Sequence, residues 1–305
     1  MPVGDAYDAL KAVLEGPVRA DEPMARHTTY RIGGPAALYV VADSIADLTH
    51  TIRTCKDHAL EWTILGKGSN VLVADAGYDG VVITLGRDFR KHTLEGEELR
   101  AGAGVVLAHL VQDAFAQGLS GLEFAVGVPG TLGGAIAMNA GSRDEWIGSI
   151  VDTATLLTPD AGLVALRGSE IPWAYRRSGL TAKGIFVESV LRMRQGDTLR
   201  IRHAMEASLK KRRASQPTGM PCAGSVFVNP DGDSAGRLIE ACGLKGSQVG
   251  GAMVSEVHAN FIVNVGGATA LDVVRLIHEV RSVVKGNHGI ELRPEIKFLG
   301  AFDRA

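Results

Sequence analysis

Apolar and polar positions along the first third of the chain switch between two periods. Over positions 5–15 the apolar residues recur three or four apart, as on one helical face, and predict a short leading helix. Positions 37–41 are a continuous apolar run of strand length. Positions 44–59 return to helical spacing, with Ser44 as N-cap and Asp47 in the first turn. A further short strand is predicted at 63–65, and the strand–helix–strand order predicts a small α/β unit.

From 71 to 194 the period shortens. Strand-like runs at 71–74, 80–84, 150–157, 163–166 and 185–193 are separated mostly by glycine or Asp-Gly punctuation, and one helix is predicted at 106–117. Many strands with few helices predict an α+β arrangement rather than a doubly wound sheet. The helical pattern at 200–214 ends at Ser215-Gln216-Pro217-Thr218-Gly219, where proline and glycine halt it. Beyond it, helices are predicted at 234–241 and 270–285 and strands at 261–265 and 296–299. The expected organisation is a leading helix in 1–20, a two-part unit in 21–197 (about 21–75 and 76–197), and a C-terminal unit in 198–305.

Composition narrows the function. A net charge of −2 over 305 residues provides no global basic field for nucleic acid or anionic lipid. The basic run Lys210-Lys211-Arg212-Arg213 reads as a solvated helix face. Three cysteines, Cys55, Cys222 and Cys242, have no metal-like spacing, and such sparse use suits a reducing compartment. The N-terminus lacks a charged-then-apolar leader, and no apolar run approaches the roughly 20 residues of a membrane span. A cytoplasmic protein without metal, nucleic-acid partner or membrane insertion is expected, as a monomer or weak oligomer.

Two stretches hold seven glycines and few side chains able to do chemistry: LGKGSNVLV (65–73) and VGVPGTLGGAIAMNAG (126–141). Glycine lets bare main-chain amides approach a bound group, and successive free N–H groups form anion-binding concavities suited to a pyrophosphate. Either stretch alone is equally well a pair of tight turns; together they point to a dinucleotide. A Rossmann domain is excluded. Gly102-Ala103-Gly104 begins like its fingerprint, but Leu107 stands at the third glycine and no βαβ unit with a following acidic residue surrounds it. Positions 101–104 read instead as a strand end and turn.

Taken in order, further segments join these two: Thr28-Thr29-Tyr30-Arg31-Ile32-Gly33-Gly34, Tyr175-Arg176-Arg177-Ser178, Ala223-Gly224-Ser225-Val226-Phe227, VSEVHANFIVN (254–264) and Leu292-Arg293-Pro294-Glu295-Ile296. This constellation resembles the UDP-N-acetylenolpyruvoylglucosamine reductase (MurB) family over roughly residues 20–300. The short connection between Tyr175 and Ser225 resembles its type II branch. The resemblance implies an FAD-binding domain of the vanillyl-alcohol-oxidase (PCMH) type, two α+β subdomains followed by an α+β substrate-binding domain. It implies hydride transfer from NADPH through FAD to the enolpyruvyl ether of a UDP-sugar, giving UDP-N-acetylmuramate for peptidoglycan.

Such a reaction places negative charge on an α-carbon and its carboxylate, which calls for fixed donors and an acid within reach. The resemblance assigns Ser225 as proton donor, although a serine is by itself a poor acid and in isolation reads as a strand serine satisfied by backbone. Arg176 has the planar fork that grips a carboxylate, and the resemblance selects it over Arg177. Glu295, before an apolar strand, is either a desolvated acid or the ion-pair partner of Arg293 or Lys297; the resemblance favours the acid.

For FAD the expected contacts are Gly66, Lys67, Gly68, Ser69 and Asn70 around the pyrophosphate. Gly127, Pro129, Gly130, Thr131, Gly133, Gly134 and Asn139 are expected toward the ring, with Arg31 as a further candidate. Tyr175, Arg213, Asn229, His258 and Asn260 are the candidate UDP-sugar contacts. Val228, Met253 and Val257 depart from the family pattern at the substrate rim. An oxidase of the same flavin fold is the alternative, for which His27 or Cys55 would be the residues to tether a flavin. A non-catalytic binder is the third reading, disfavoured because Arg176, Ser225 and Glu295 are all present.

Overall fold

The computed structural model describes residues 2–142 and 144–302. Helix α1 (Pro2–Val13) leads into strand β1 (Val18–Pro23), then β2 (Pro35–Ala42), α2 (Ile45–Asp57), β3 (Trp62–Ile64), β4 (Val71–Val73) and β5 (Tyr78–Leu85). Strands β1-β2-β5-β3 form one sheet in that order, parallel from β2 through β5 to β3, with β1 antiparallel at one edge. Strand β2 is a central strand in which Leu38, Val40 and Ala42 are fully buried and Tyr39 nearly so. Burial on both faces is why its sequence is continuously apolar rather than alternating. Helix α2 starts where expected, with the Ser44 hydroxyl accepting from the Asp47 amide at 3.1 Å.

The next elements are β6 (His92–Glu95), β7 (Glu98–Gly102), α3 (Leu107–Ala116), β8 (Leu119–Ser120), α4 (Leu132–Ala137), β9 (Val151–Thr158), β10 (Gly162–Arg167), β11 (Ile185–Arg192) and β12 (Arg194–Gln195). Strands β10-β9-β11-β7-β6 make an antiparallel sheet, covered by α3 and α4 through Leu107, Leu110, Leu132 and Ile136.

Helix α5 (Thr198–Ser215) precedes α6 (Ala235–Ala241), β13 (Gln248–Val249), β14 (Ala252–Val254), β15 (Ile262–Asn264), α7 (Ala270–His288) and β16 (Lys297–Leu299). The antiparallel β13-β14-β15 packs with α6 and α7 around Phe227, Leu238, Val254, Ile262, Val273 and Ile277. This core also takes in Tyr30, Ile32 and Leu72 from the first half of the chain. Tyr30 is fully buried and donates its hydroxyl to the Ile262 carbonyl at 2.8 Å. The last strand, β16, returns to pair in parallel with β4, Lys297 opposite Val71. These two ties fix the C-terminal segment against the loop that precedes β4.

Mixed helix and strand content in segregated sheets gives the α+β class predicted above. Several elements were not predicted, among them β1, α4, the short strands β6, β8 and β12, and the β13–β14 hairpin. Strand β1 is an edge strand whose sequence, VRADEP, is mostly charged and exposed, so it carries no alternation. Helix α4 contains two glycines and was read as loop. The β13–β14 hairpin is only a few residues long. Among the described residues no helix is long and apolar enough to cross a membrane.

Candidate active site

Two glycine stretches form facing walls of one cleft. Strand β3 ends at Ile64, and the chain turns through residues 66–70 before β4. The main-chain amides of Gly66, Lys67, Gly68, Ser69 and Asn70 donate to no backbone acceptor among the described residues. The turn is held instead through its carbonyl: Gly68 O accepts from the Thr29 amide at 3.2 Å and the Thr29 hydroxyl at 3.3 Å. Gly68 has φ +60°, and a Cβ there would strike the His27 carbonyl. Glycine is required at that position.

The opposing wall is the start of α4, where the Thr131 hydroxyl caps the helix by accepting from Gly134 N at 3.3 Å. A Cβ on Gly66 would lie 2.7 Å from that hydroxyl. Between the walls runs a cavity of about 1500 Å³, lined by Gly66, Lys67, Thr131, Gly133 and Gly134 and also by Trp62, Ile64, Ile185 and Phe186. A row of unengaged amides, walls kept bare by glycine, and a lining that mixes apolar side chains with the cations Arg53, Lys56 and Lys183 fit a dinucleotide.

The second cluster lies just beyond this cavity and is reached through the same loops. Ser69 donates its hydroxyl to Pro129 O at 3.2 Å, and Asn70 Nδ2 donates to Glu295 O at 3.3 Å. The Lys297 amide donates back to Asn70 O at 2.9 Å. The side chain of Asn70 thus ties the 66–70 loop to the segment carrying Glu295.

Arg176 sits in a tight turn in which Ala174 and Arg177 exchange main-chain hydrogen bonds at 2.8 and 3.0 Å, with φ +60° at Arg176 itself. Its Nη1 donates to Gly141 O at 2.9 Å, and its Nε lies 2.9 Å from Glu295 Oε1. The Nε contact is an ion pair without hydrogen-bond alignment. The guanidinium also stands 5.0 Å from the centre of the Tyr175 ring. Burial pushes the Glu295 carboxyl above its ordinary pKa, and the charges of Arg176 and Lys297 oppose the shift.

Ser225 precedes a segment clamped from both sides. The Val226 amide donates to Asn260 O at 2.8 Å, and Val226 O accepts from the Glu295 amide at 2.7 Å. Phe227 N donates to Asn260 Oδ1 at 2.9 Å, and Asn260 Nδ2 donates to Phe227 O at 2.8 Å. The half-buried Ser225 hydroxyl makes no hydrogen bond among the described residues.

Arg176, Glu295 and the Ser225 segment therefore converge, and the Ser69–Asn70 end of the 66–70 loop joins them. Several predicted contacts hold the framework instead. Asn260 has both ends of its amide engaged by Phe227, and His258 accepts the Asn260 amide on Nδ1 at 3.1 Å while its ring packs on Phe261. Burial pushes the His258 pKa below its ordinary value. Asn229 accepts from the Ala235 amide at 3.0 Å and donates to the Tyr175 hydroxyl at 3.4 Å.

Arg31 is exposed, with φ +56° and no side-chain partner among the described residues. Arg213 points outward on α5 beside Glu206 and Lys210, away from the cluster. Its neighbour Arg212 is the inward one: it packs against Gly127 and donates to Phe124 O at 3.4 Å. Burial and the nearby charge of Arg176 push the Arg212 pKa down. Helical phase could have found it, since steps of three or four from the buried Ile201 pass Met205 and Leu209 to Arg212.

Neither residue considered for a flavin tether is free for it. Cys55 is 1% exposed in the core under α2, with its thiol pushed up to about 11 by burial. His27 lines the cavity, but its Nε2 lies 2.9 Å from the buried Glu22 carboxylate and its ring stacks on Tyr39 at 4.2 Å.

Comparison with known proteins agrees with this geometry. A sequence-family model described as FAD binding domain matches residues 36–166, and one described as UDP-N-acetylenolpyruvoylglucosamine reductase, C-terminal domain, matches 216–299. The chain is 48% identical over 281 residues to the UDP-N-acetylenolpyruvoylglucosamine reductase of Heliobacterium modesticaldum, covering 92% of this chain and 90% of the relative. It is 42% identical to the Bacillus subtilis reductase, covering 95% and 97%. The crystal structure of the Thermus caldophilus reductase (MurB) superposes with a TM-score of 0.81 at 34% identity, covering 93% of this chain and 99% of that one. Loop, cleft and convergent cluster thus occur in a chain that belongs to the UDP-N-acetylenolpyruvoylglucosamine reductase (MurB) family.

Proposed function

We propose that this protein reduces the enolpyruvyl ether of UDP-N-acetyl-3-O-(1-carboxyvinyl)-glucosamine to UDP-N-acetylmuramate, with FAD as cofactor and NADPH as hydride donor. The observation that carries this reading is the meeting of Arg176 and Glu295 at 2.9 Å, tied through Asn70 to the loop of unengaged amides. The residues that would hold FAD are Gly66 to Asn70 on one wall and Gly127, Pro129, Gly130, Thr131, Gly133 and Gly134 on the other. Bound there, FAD supplies hydride transfer, carrying the electrons of NADPH to the substrate's terminal methylene carbon.

The chain's own groups handle charge and protons. The fork of Arg176 grips the substrate carboxylate and holds the charge that builds there, within a shielded site where fixed charges act strongly. Arg212, half-buried and close enough for its pKa to feel the charge of Arg176, adds a second cation. The Ser225 hydroxyl, committed to no other partner, gives its proton to the α-carbon. Glu295 orients Arg176, and its burial favours the protonated form, in which it would offer a hydrogen bond to the carboxylate. Tyr175 and Asn229 line the approach of the UDP-sugar, and Asn260 with His258 fixes the segment that follows Ser225. We divide the chain into an FAD-binding unit over 21–197 and a substrate unit over 198–305, and infer a monomer or weak oligomer acting in the cytoplasm.

Anaerobic titration tests the reading. NADPH should bleach the flavin absorbance, and the enolpyruvyl UDP-sugar should restore it with formation of the lactyl ether. Restoration by air alone would replace this reading with the oxidase.

A further inference from the structure

We propose that Asn139 is a positioning residue for Arg176 and not a contact to the cofactor. This inference rests on the reading that Arg176 grips the substrate carboxylate. Asn139 follows α4 in the left-handed region, with φ +44°, where asparagine is one of the few residues tolerated besides glycine. Its side chain is 7% exposed and both ends of the amide are used. Nδ2 donates to Ala174 O at 3.1 Å, and Oδ1 accepts from the Gly148 amide at 3.1 Å.

Ala174 closes the turn that presents Arg176. Two neighbours on the same segment hold other parts of that turn: Ala137 O accepts the Ser178 amide and hydroxyl, both at 3.3 Å, and Gly141 O accepts Arg176 Nη1. Residues 137, 139 and 141 thus grip 178, 174 and 176. Ala137 and Gly141 act through main-chain carbonyls, so Asn139 is the point where a side chain sets the turn. Helix α4 lines the cofactor cavity with Gly133 and Gly134 and sets the arginine turn through the residue just beyond its C-terminal end. A shift of the turn by an ångström would move the guanidinium off the reacting carboxylate, an error that costs on the order of 100-fold in rate.

Two variants separate positioning from simple helix termination. Asn139→Gly keeps the left-handed turn and loses the amide. Asn139→Asp keeps the acceptor for Gly148 and loses the donor to Ala174. In FAD-loaded enzyme under anaerobic single-turnover conditions, both should be bleached by NADPH at the wild-type rate. Both should be reoxidised by the enolpyruvyl UDP-sugar roughly 100-fold more slowly. In an Arg176→Ala background the same changes should add almost nothing, because the group they position is gone. Independently of any substrate, hydrogen exchange at the Arg177 amide should rise at least about tenfold, an opening made easier by the lost bond.

A full, additive effect in the Arg176→Ala background, or weakened FAD binding with both half-reactions slowed alike, would overturn the proposal. Unchanged exchange at Arg177 would do the same. Failure of the wild-type enzyme to consume the enolpyruvyl sugar would instead overturn the functional reading, and the exchange measurement would still decide the role of Asn139.

Discussion

Arg176 and Glu295 meet with 2.9 Å between Nε and Oε1, although one lies in a loop before the last strand of the five-stranded sheet and the other near the C-terminus. Their side chains are 24% and 12% exposed, so the pair is shielded but reachable from the cleft. Removing either partner leaves the other charge partly buried and uncompensated, a costly state. Arg176→Lys keeps the charge and loses the planar fork that reaches Gly141 O and Glu295 together. Reoxidation by the enolpyruvyl substrate should slow by about 10²–10³-fold, while bleaching by NADPH is unchanged. Stopped-flow absorbance of each half-reaction checks this; equal slowing of both would contradict the assigned role.

The raised pKa of Glu295 gives a pH dependence with a definite sign. Burial is the main cause, with Arg176 pulling the other way. The folded state holds this proton more tightly than the unfolded chain. Its contribution to stability is therefore complete below the unfolded value of about 4.3 and is lost as pH rises through the folded value. The difference in unfolding free energy between wild type and Glu295→Gln should shift with pH in that window and be flat above it. Substrate reduction should decline through the same window in the wild type and lose that limb in Glu295→Gln.

At Gly66 the prediction concerns the cofactor rather than the fold. Its backbone is not in the left-handed region, so alanine meets little local strain, but the new Cβ would stand 2.7 Å from Thr131 Oγ1 and narrow the cleft. Gly66→Ala should weaken FAD binding about tenfold or more, or at least about 1.4 kcal/mol. Melting of the apoprotein should barely change. Thermal melts with and without FAD read both at once, since ligand stabilisation tracks the dissociation constant. An unchanged FAD-induced shift would remove Gly66 from the cofactor wall.

Tyr30 joins the two halves of the chain, and its hydroxyl donates across them to Ile262 O in full burial. Tyr30→Phe keeps the ring in the core and deletes one hydrogen bond, which should cost about 1–2 kcal/mol. Urea unfolding should show a lower midpoint at unchanged slope. A stability loss below about 0.5 kcal/mol would mean that the bond contributes little to joining the two halves.

Much of the architecture was legible because it follows from local pattern. Helix α2 begins at its serine cap, and α7 begins at Thr269, whose hydroxyl accepts the Asp272 amide at 3.0 Å. Helix α7 runs three residues past the predicted end, to the left-handed Gly289, where a helix C-terminus commonly falls. Helix α4 was not legible: six residues with two glycines have poor helix propensity, and only the complete burial of Leu132 and Ile136 against the sheet makes it helical. At the site, the sequence offered Arg213 as the sugar contact and the run 210–213 as a solvated face, whereas in the fold Arg212 is the residue that turns inward against Gly127.

The sequence by itself determined the two glycine loops and the α+β class, because glycine spacing and period are local properties. Arg176, Ser225 and Glu295 were singled out by the family resemblance, not by any local pattern. Tertiary structure decided which groups meet. The parallel pairing of β16 with β4 brings Glu295 to the cofactor loop, and the clasp of residues 137–141 on the 174–178 turn brings Arg176 to Glu295. Both depend on contacts between segments far apart in the chain, whose closure entropy is repaid only by the packed core, so no local pattern encodes them.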